Sequence, residues 1–259
     1  MHIYIYDKFL SQKKYDSILA RIETRITDLG LNGKIVRLNL MNSVYEAVEN
    51  EIKNGAKTIV AVGSDNLLHQ IINVIAKLTF LKTITAKIPV GFIPVEKSHN
   101  TLGPLLGIDF EEDACDALSG RRIIKLDLGK AGDEYFLTQA VITSKGTSVE
   151  IDQNYSIEIM GAGEIGVVSL PLEDSILPQA KTKANDGVLE LFIKINASRK
   201  FLPINREKGQ SSVFSFKKLK IINKDFPVVL DNIKEIPTPV EIAIAKEKIN
   251  LIVGKGRKF

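Results

Sequence analysis

The sequence predicts two domains in succession: a doubly wound parallel α/β sheet over residues 1–122, then an antiparallel β-sandwich or distorted barrel over residues 123–259. The extreme C-terminus is left free to return to the first domain. Three observations carry this. Strand-like and helix-like stretches alternate up to about Gly120, the order βαβαβαβ that a parallel sheet requires. From about Ile123 the hydrophobic period drops from 3.6 to 2. And 259 residues, 44% of them apolar, suffice for two separate cores.

In order, His2–Tyr6 alternates like a first strand. Gln12–Leu29 carries a helical stripe of Tyr15, Ile18, Leu19, Ile22, Ile26 and Leu29, with Gly30 as its stop. Lys34–Leu38 is a second strand. Ser43 and Glu46 form a capping box at the start of the next helix, which Gly55 closes. Thr58–Val62 is a β-branched apolar run of the buried parallel kind. It ends in Gly63-Ser64-Asp65-Asn66, and a helix follows at once with Leu67, Leu68, Ile71, Ile72 and Ile75 on one face. Pro89–Ile93 is a fourth strand, followed by the loop Pro94–Asn100. Glu111–Leu118 is a last short helix before Gly120.

Beyond Ile123 the expected strands are Ile123–Leu128, Tyr135–Thr143, Ser148–Asp152, Tyr155–Met160, Ile165–Leu170, Val188–Ile195, Val213–Ile222, Pro227–Leu230, Val240–Ala245 and Ile249–Val253. Gly, Asn or Asp fills many of the linkers.

Composition narrows the function. The lone Cys115 excludes an intramolecular disulfide and any cysteine-based metal site. No stretch of 18 uncharged apolar residues offers a membrane span, and the N-terminus lacks a cleavage signature, so cytoplasm is the expected compartment. The net charge of +4 suits phosphate ligands, anionic lipid or nucleic acid equally. Basic residues gather between Arg199 and Lys224 (Arg199, Lys200, Arg206, Lys208, Lys217, Lys218, Lys220, Lys224). Lys218 and Lys220 alternate with Leu219 and Ile221, so they share one solvent face. Such a patch serves either as a solvated edge that resists aggregation or as a dock for anionic membrane. Aromatic residues interleave with it only at Phe214 and Phe216, so no nucleic-acid partner is expected.

The strand–turn–helix around Gly63–Asn66 is the geometry that aims free backbone N–H groups at an anion. In the simplest reading Asp65 caps the helix and nothing more. In sequence, GSDNLLHQIIN resembles the GGDGTLxEVxN motif of the diacylglycerol-kinase-like lipid kinases. GFIPVEKSHNTLGPLLGI resembles their GxIPxGTxNDxAxxLGI, NDGVLEL their DDGLLDL, and PVVLDNIKEIPTPVEIAI their closing strand pair with Asp-Gly-Glu. The resemblance covers most of the chain. It implies a Rossmann-like nucleotide domain, a β-rich lipid-binding domain, and transfer of the ATP γ-phosphoryl to a lipid hydroxyl with Mg2+. Asp231 would be the general base, and Asp65 would hold magnesium or orient the triphosphate. Gly63, Ser64 and Asn66 would offer donors to phosphate, Asn100 would shape the nucleotide pocket, and Lys97 would add a charge. Asp186 and Glu190 match a region where relatives hold a structural magnesium. Each residue has a plainer alternative: turns for Asp231 and Asp186, a helix cap for Asn100, a solvated loop for Lys97.

The departures are specific. Asp7-Lys8 stands for the family's Asn-Pro, Ser64 and Asn66 for two glycines, Leu67 for Thr, Glu96-Lys97 for Gly-Thr, and Asn232-Ile233 for the Gly-Glu after Asp231. Asn tolerates φ > 0, so the turns at 66 and 232 are expected to survive the exchange of Gly for Asn. A catalytically impaired relative that binds nucleotide or lipid without turnover is the alternative reading. NAD kinases share a related turn, but their Asn-Glu and Gly-Ser-Thr-Ala motifs are missing here.

Overall fold

The computed structural model describes residues 1–39, 42–84, 87–170, 185–195 and 211–259. The chain divides into two compact units, Met1–Leu126 with Glu247–Phe259, and Asp127–Lys246. None of the described helices is long and apolar enough to cross a membrane.

In the first unit the strands β1 (His2–Tyr6), β2 (Gly33–Arg37), β3 (Thr58–Gly63) and β4 (Val90–Pro94) are parallel, in the order β2-β1-β3-β4. They alternate with helices α1 (Asp16–Asp28), α2 (Val44–Lys53) and α3 (Asp65–Phe80), and the shorter α4 (Leu102–Leu106) and α5 (Cys115–Gly120) follow β4. β3 and β4 are buried along their whole length, as near-continuous apolar runs covered on both faces must be. α3 buries Leu67, Leu68, Ile71, Ile72 and Ile75, the predicted face. The capping box of α2 is formed: Glu46 N donates to Ser43 Oγ at 3.1 Å, and Ser43 N to Glu46 Oε2 at 3.3 Å. α1 starts four residues later than expected, because two 3-10 turns, Lys8–Ser11 and Lys13–Tyr15, come first.

The strand order reverses between β1 and β3: the chain goes outward from β1 to β2, then back across β1 to β3. Tyr6 stands beside Val62, and Gly63 beside Pro94, so the carboxyl ends of β1, β3 and β4 are neighbours. Such a reversal, here at the carboxyl ends of β1 and β3, is the place where doubly wound sheets take ligands.

The second unit contains β5 (Ile123–Ala131, entering from the first unit), β6 (Glu134–Phe136), β7 (Gln139–Thr143), β8 (Ser148–Ile151), β9 (Tyr155–Glu158), β10 (Gly163–Val168), β11 (Leu189–Ile195), β12 (Ser211–Phe216), β13 (Lys218–Ile222), β14 (Val228–Leu230), β15 (Lys234–Ile236) and the start of β16 (Val240–Ile252). One antiparallel sheet runs β12-β11-β10-β7-β14-β15. Another pairs β16 with β13, β13 with β8, and β8 with β9. Phe136, Ile142, Val149, Ile165, Leu191, Leu219, Val228 and Ile242, drawn from both sheets, form one core, as in a sandwich. The last residues of β16 belong to the first unit, where Leu251 pairs in parallel with Val90.

Two expected strands are each divided. Tyr135–Thr143 breaks at Leu137-Thr138, whose N–H groups turn aside to Asp231. Val213–Ile222 breaks at Lys217, where Lys217 N and Lys218 N both donate to Asp152 Oδ1 (3.0 and 2.8 Å), and the chain changes sheet. Conversely, Val240–Ala245 and Ile249–Val253 are one strand.

Candidate functional site

Gly63, Ser64, Asp65 and Asn66 sit together at the junction of β3 and α3, at the point where the strand order reverses. The left-handed residue here is Gly63, with φ +142. Ser64 is extended and is the N-cap, its Oγ accepting from Leu67 N. Asp65 is therefore not the cap. Asn66 is not in a positive-φ turn either: it lies in the first turn of α3, and its Oδ1 accepts from Gln70 Nε2 one helical turn on. The expectation for the Asn at 232 holds, with φ +58.

Asp65 is buried, and its carboxylate clamps the loop after β4. Oδ2 accepts from Thr101 N (2.6 Å), Thr101 Oγ1 (2.9 Å) and Leu102 N (3.2 Å), while Oδ1 lies 3.3 Å from Leu102 N. Asn100 immediately precedes that pair but does not cap α4, because Thr101 is the preceding residue and makes no side-chain cap. Instead its Nδ2 donates to Val95 O (2.8 Å) and Glu96 O (2.7 Å), while its buried Oδ1 has no hydrogen-bond donor. Glu96 has φ +66, a backbone that glycine adopts at less cost. Its Oε1 accepts from Tyr15 OH at 2.7 Å, with Lys14 Nζ at 3.6 Å. Lys97 is exposed, with its Nζ 5.7 Å from the Phe110 ring centroid, a cation–π contact rather than a free charge.

At the mouth of β1 stands Asp7. Its N–H donates to Val62 O at 2.9 Å, and its Oδ2 accepts from both Ser64 Oγ (2.5 Å) and Ser64 N (3.3 Å). A Cβ on Gly63 would lie 2.4 Å from the Asp7 Cβ, so only glycine admits this approach. Beside it, burial pushes the Tyr6 phenol well above its ordinary range, and the Glu23 carboxylate adds to the effect.

In the second unit Asp231 and Asn232 form the tip of the β14–β15 hairpin. Both have positive φ (+50 and +58), and Ile233 N donates to Leu230 O. Two consecutive left-handed residues make a type I′ turn. The buried Asp231 carboxylate accepts from Thr138 N (2.8 Å), Thr138 Oγ1 (2.7 Å) and Gln139 N (3.1 Å) on Oδ1, and from Leu137 N (2.9 Å) on Oδ2.

Asp186 makes a local turn, its Oδ1 accepting from Val188 N at 3.1 Å, and Gly187 N donates to the buried Asp127 Oδ2 at 2.7 Å. Glu190 is half-buried within β11, opposite Val168 and Ser215. Among the described residues no group of three or more His, Cys, Asp or Glu is gathered to hold a metal ion. Of the basic stretch, Arg199, Lys200, Arg206 and Lys208 lie outside the described residues. Lys218 pairs with Glu241 (2.9 Å) and Lys220 with Glu150 (3.6 Å), while Lys217 and Lys224 are exposed.

Sequence reasoning missed how these residues are used. Thr101 and Thr138 were not singled out, and Asp7 was noted only as a replaced Asn. The signal for Asp7 was the strand order: once β1 neighbours β3, the residue after β1 must meet the Gly63 turn.

A family model described as the diacylglycerol kinase catalytic domain matches residues 2–131. Two solved Bacillus anthracis structures share the fold. One, described as a diacylglycerol kinase, is 14% identical, with a TM-score of 0.74, covering 99% of this chain and 98% of that one. The other, whose diacylglycerol kinase assignment is left provisional, is 14% identical, with a TM-score of 0.76, covering 99% and 97%. At that identity the likeness speaks for the fold alone. No curated protein matches the chain.

Proposed function

Because the chain belongs to the diacylglycerol kinase catalytic domain family, we propose that it is an ATP-dependent lipid kinase, transferring the γ-phosphoryl group to a lipid hydroxyl. The observation that carries this reading is the family match across residues 2–131, which takes in the Gly63–Asn66 turn at the strand-order reversal. Phosphoryl transfer is mostly positioning and charge stabilisation. The hydroxyl oxygen bonds to the γ-phosphorus as the bridge to the β-phosphate breaks, ADP leaves, and Asp231 takes the hydroxyl proton. The N–H groups of Asp65 and Asn66 lie in the first turn of α3, where a helix supplies no acceptor, and they would donate to phosphate oxygens. Asn100 offers its donor-less Oδ1 to a nucleotide N–H or O–H. Lys97 swings from Phe110 to the phosphates. The described residues do not assemble a metal cage. Magnesium would arrive with ATP and neutralise charge on its phosphates, and Asp186 and Glu190 are not gathered into a cluster that would hold a second ion. The protein works in the cytoplasm and meets its lipid at an anionic membrane surface through the stretch Arg199–Lys224.

Incubation of the pure protein with labelled ATP, magnesium and mixed diacylglycerol or sphingoid micelles tests the reading. Labelled lipid supports it, and none from a folded sample overturns it. A second reading, a relative that binds nucleotide or lipid without turnover, draws support from the two key carboxylates, which are both engaged by their own chain. Calorimetric binding of MgATP with no labelled lipid would favour it.

A further inference from the structure

We infer that Asp7 is an internal anion seated on the phosphate-binding turn, so that the polyphosphate of a nucleotide reaches this site only by displacing it. The inference rests on the reading above, that the Gly63–Asn66 turn receives nucleotide phosphate.

Three independent features of the first unit point to it. The strand-order reversal between β1 and β3 is where such a sheet takes a ligand, and Asp7 is the first residue after β1. Its carboxylate takes both donors that Ser64 offers there, the backbone N–H and the hydroxyl. A phosphate oxygen approaching the Asp65 and Asn66 N–H groups competes for those adjoining Ser64 donors and meets a like charge as well. Finally, Asp7 is fixed from behind by its N–H on Val62 O, and Gly63 is the residue that permits the contact. A neutral side chain with a glycine opposite would leave the turn open. Here Asp7 and Ser64 together close it, the hydroxyl supplying a second bond to the carboxylate. Another carboxylate ties the loop after β4 to the turn that precedes α1: Glu96 accepts from Tyr15 OH. Asp7 and Ser64 are both only partly buried, so the contact lies within reach of a ligand.

The test measures binding of inorganic tripolyphosphate, MgATP and adenosine to the full chain and to its Asp7→Asn and Asp7→Ser variants, by calorimetry at low salt. Thermal melting confirms folding. Either variant is expected to bind tripolyphosphate and MgATP at least tenfold more tightly, ~1.4 kcal/mol, while adenosine affinity stays unchanged. Asn is nearly the same shape as Asp, and Ser probes the same loss of charge should Asn fail to fold. Equal tripolyphosphate affinity in wild type and variants overturns the inference, as does a gain shared by adenosine. So does saturation of the wild-type Ser64 amide resonance by micromolar tripolyphosphate, which needs no variant. Outcomes for the two readings separate. Tighter phosphate binding without lipid phosphorylation keeps the Asp7 inference and removes the kinase. Turnover with no effect of Asp7→Asn keeps the kinase and removes Asp7.

Discussion

Replacing Asp231 is expected to unsettle the second unit as well as any chemistry, and the two effects are separable. The carboxylate receives three backbone N–H groups and one hydroxyl from residues 137–139, all buried. A hydrogen bond to a charged group contributes about 1.5–3 kcal/mol net, and such bonds are not additive. Truncation also leaves buried N–H groups without acceptors, a penalty of about 1–3 kcal/mol each before relaxation and water entry. Asp231→Ala should therefore cost about 3–5 kcal/mol, the range seen when one partner of a buried charged contact is removed. Asp231→Asn keeps one carbonyl oxygen but turns an N–H toward a Leu137 or Thr138 N–H, and should cost about 2–3 kcal/mol. The assay is urea denaturation followed by circular dichroism, with hydrogen exchange of the Leu137, Thr138 and Gln139 amides as the local readout. Exchange at these amides should accelerate in both variants. A fully stable Asp231→Asn protein with its 137–139 amides still protected would refute the clamp. The consequence for function is direct: loss of activity in Asp231→Ala identifies a base only if compared at conditions where the variant remains folded.

Further predictions concern other contacts. Gly63→Ala places a Cβ 2.4 Å from the Asp7 Cβ at φ +142 and should destabilise by about 2–3 kcal/mol. Adding Asp7→Gly should recover the steric part and leave the backbone part, as a double-mutant cycle in denaturant will measure. Gly129→Ala puts a Cβ 2.0 Å from the Phe136 ring and should cost about 1–3 kcal/mol, partly restored by Phe136→Leu, by the same denaturation assay. Burial pushes the Cys115 thiol up to about 12 from an ordinary 9.0. The unfolded thiol ionises first, so between those values the unfolded state holds fewer protons and stability falls as pH rises, by up to ~1.4 kcal/mol per unit. Cys115→Ala should show a shallower alkaline decline, and the native thiol should resist iodoacetamide below pH 9.

The alternating elements of the first unit were legible because their periodicity is strong: the Leu67–Ile75 face and the Ser43–Glu46 capping box stand as read. What was lost was decided by distant partners. Tyr135–Thr143 has an unbroken strand pattern, yet it opens because Asp231, 93 residues away from Thr138, claims its N–H groups. The change of sheet at Lys217 depends on Asp152, 65 residues back. The α4 helix, Leu102–Leu106, is implied in the sequence only by the plainer alternative for Asn100, because it is short, contains Gly and Pro, and has no side-chain cap. At the site, Asp65 and Asp231 were legible as residues but not as clamps. The Thr101 hydroxyl that binds Asp65 is 36 positions on, and no local pattern joins them. Asn66 was misread as a turn residue because the motif places a glycine there. The helix begins one residue earlier, at Asp65, and the positive φ falls on Gly63 instead.

The central claim, that this chain moves the terminal phosphoryl of ATP to a lipid alcohol, is tested most directly by organic extraction after incubation of the wild-type protein with millimolar MgATP and diacylglycerol micelles. Parallel reactions carry the label in the γ or the α position. Lipid-soluble label is expected from the γ reaction and none from the α reaction. An unlabelled lipid phase in both, from protein shown to be folded, contradicts it.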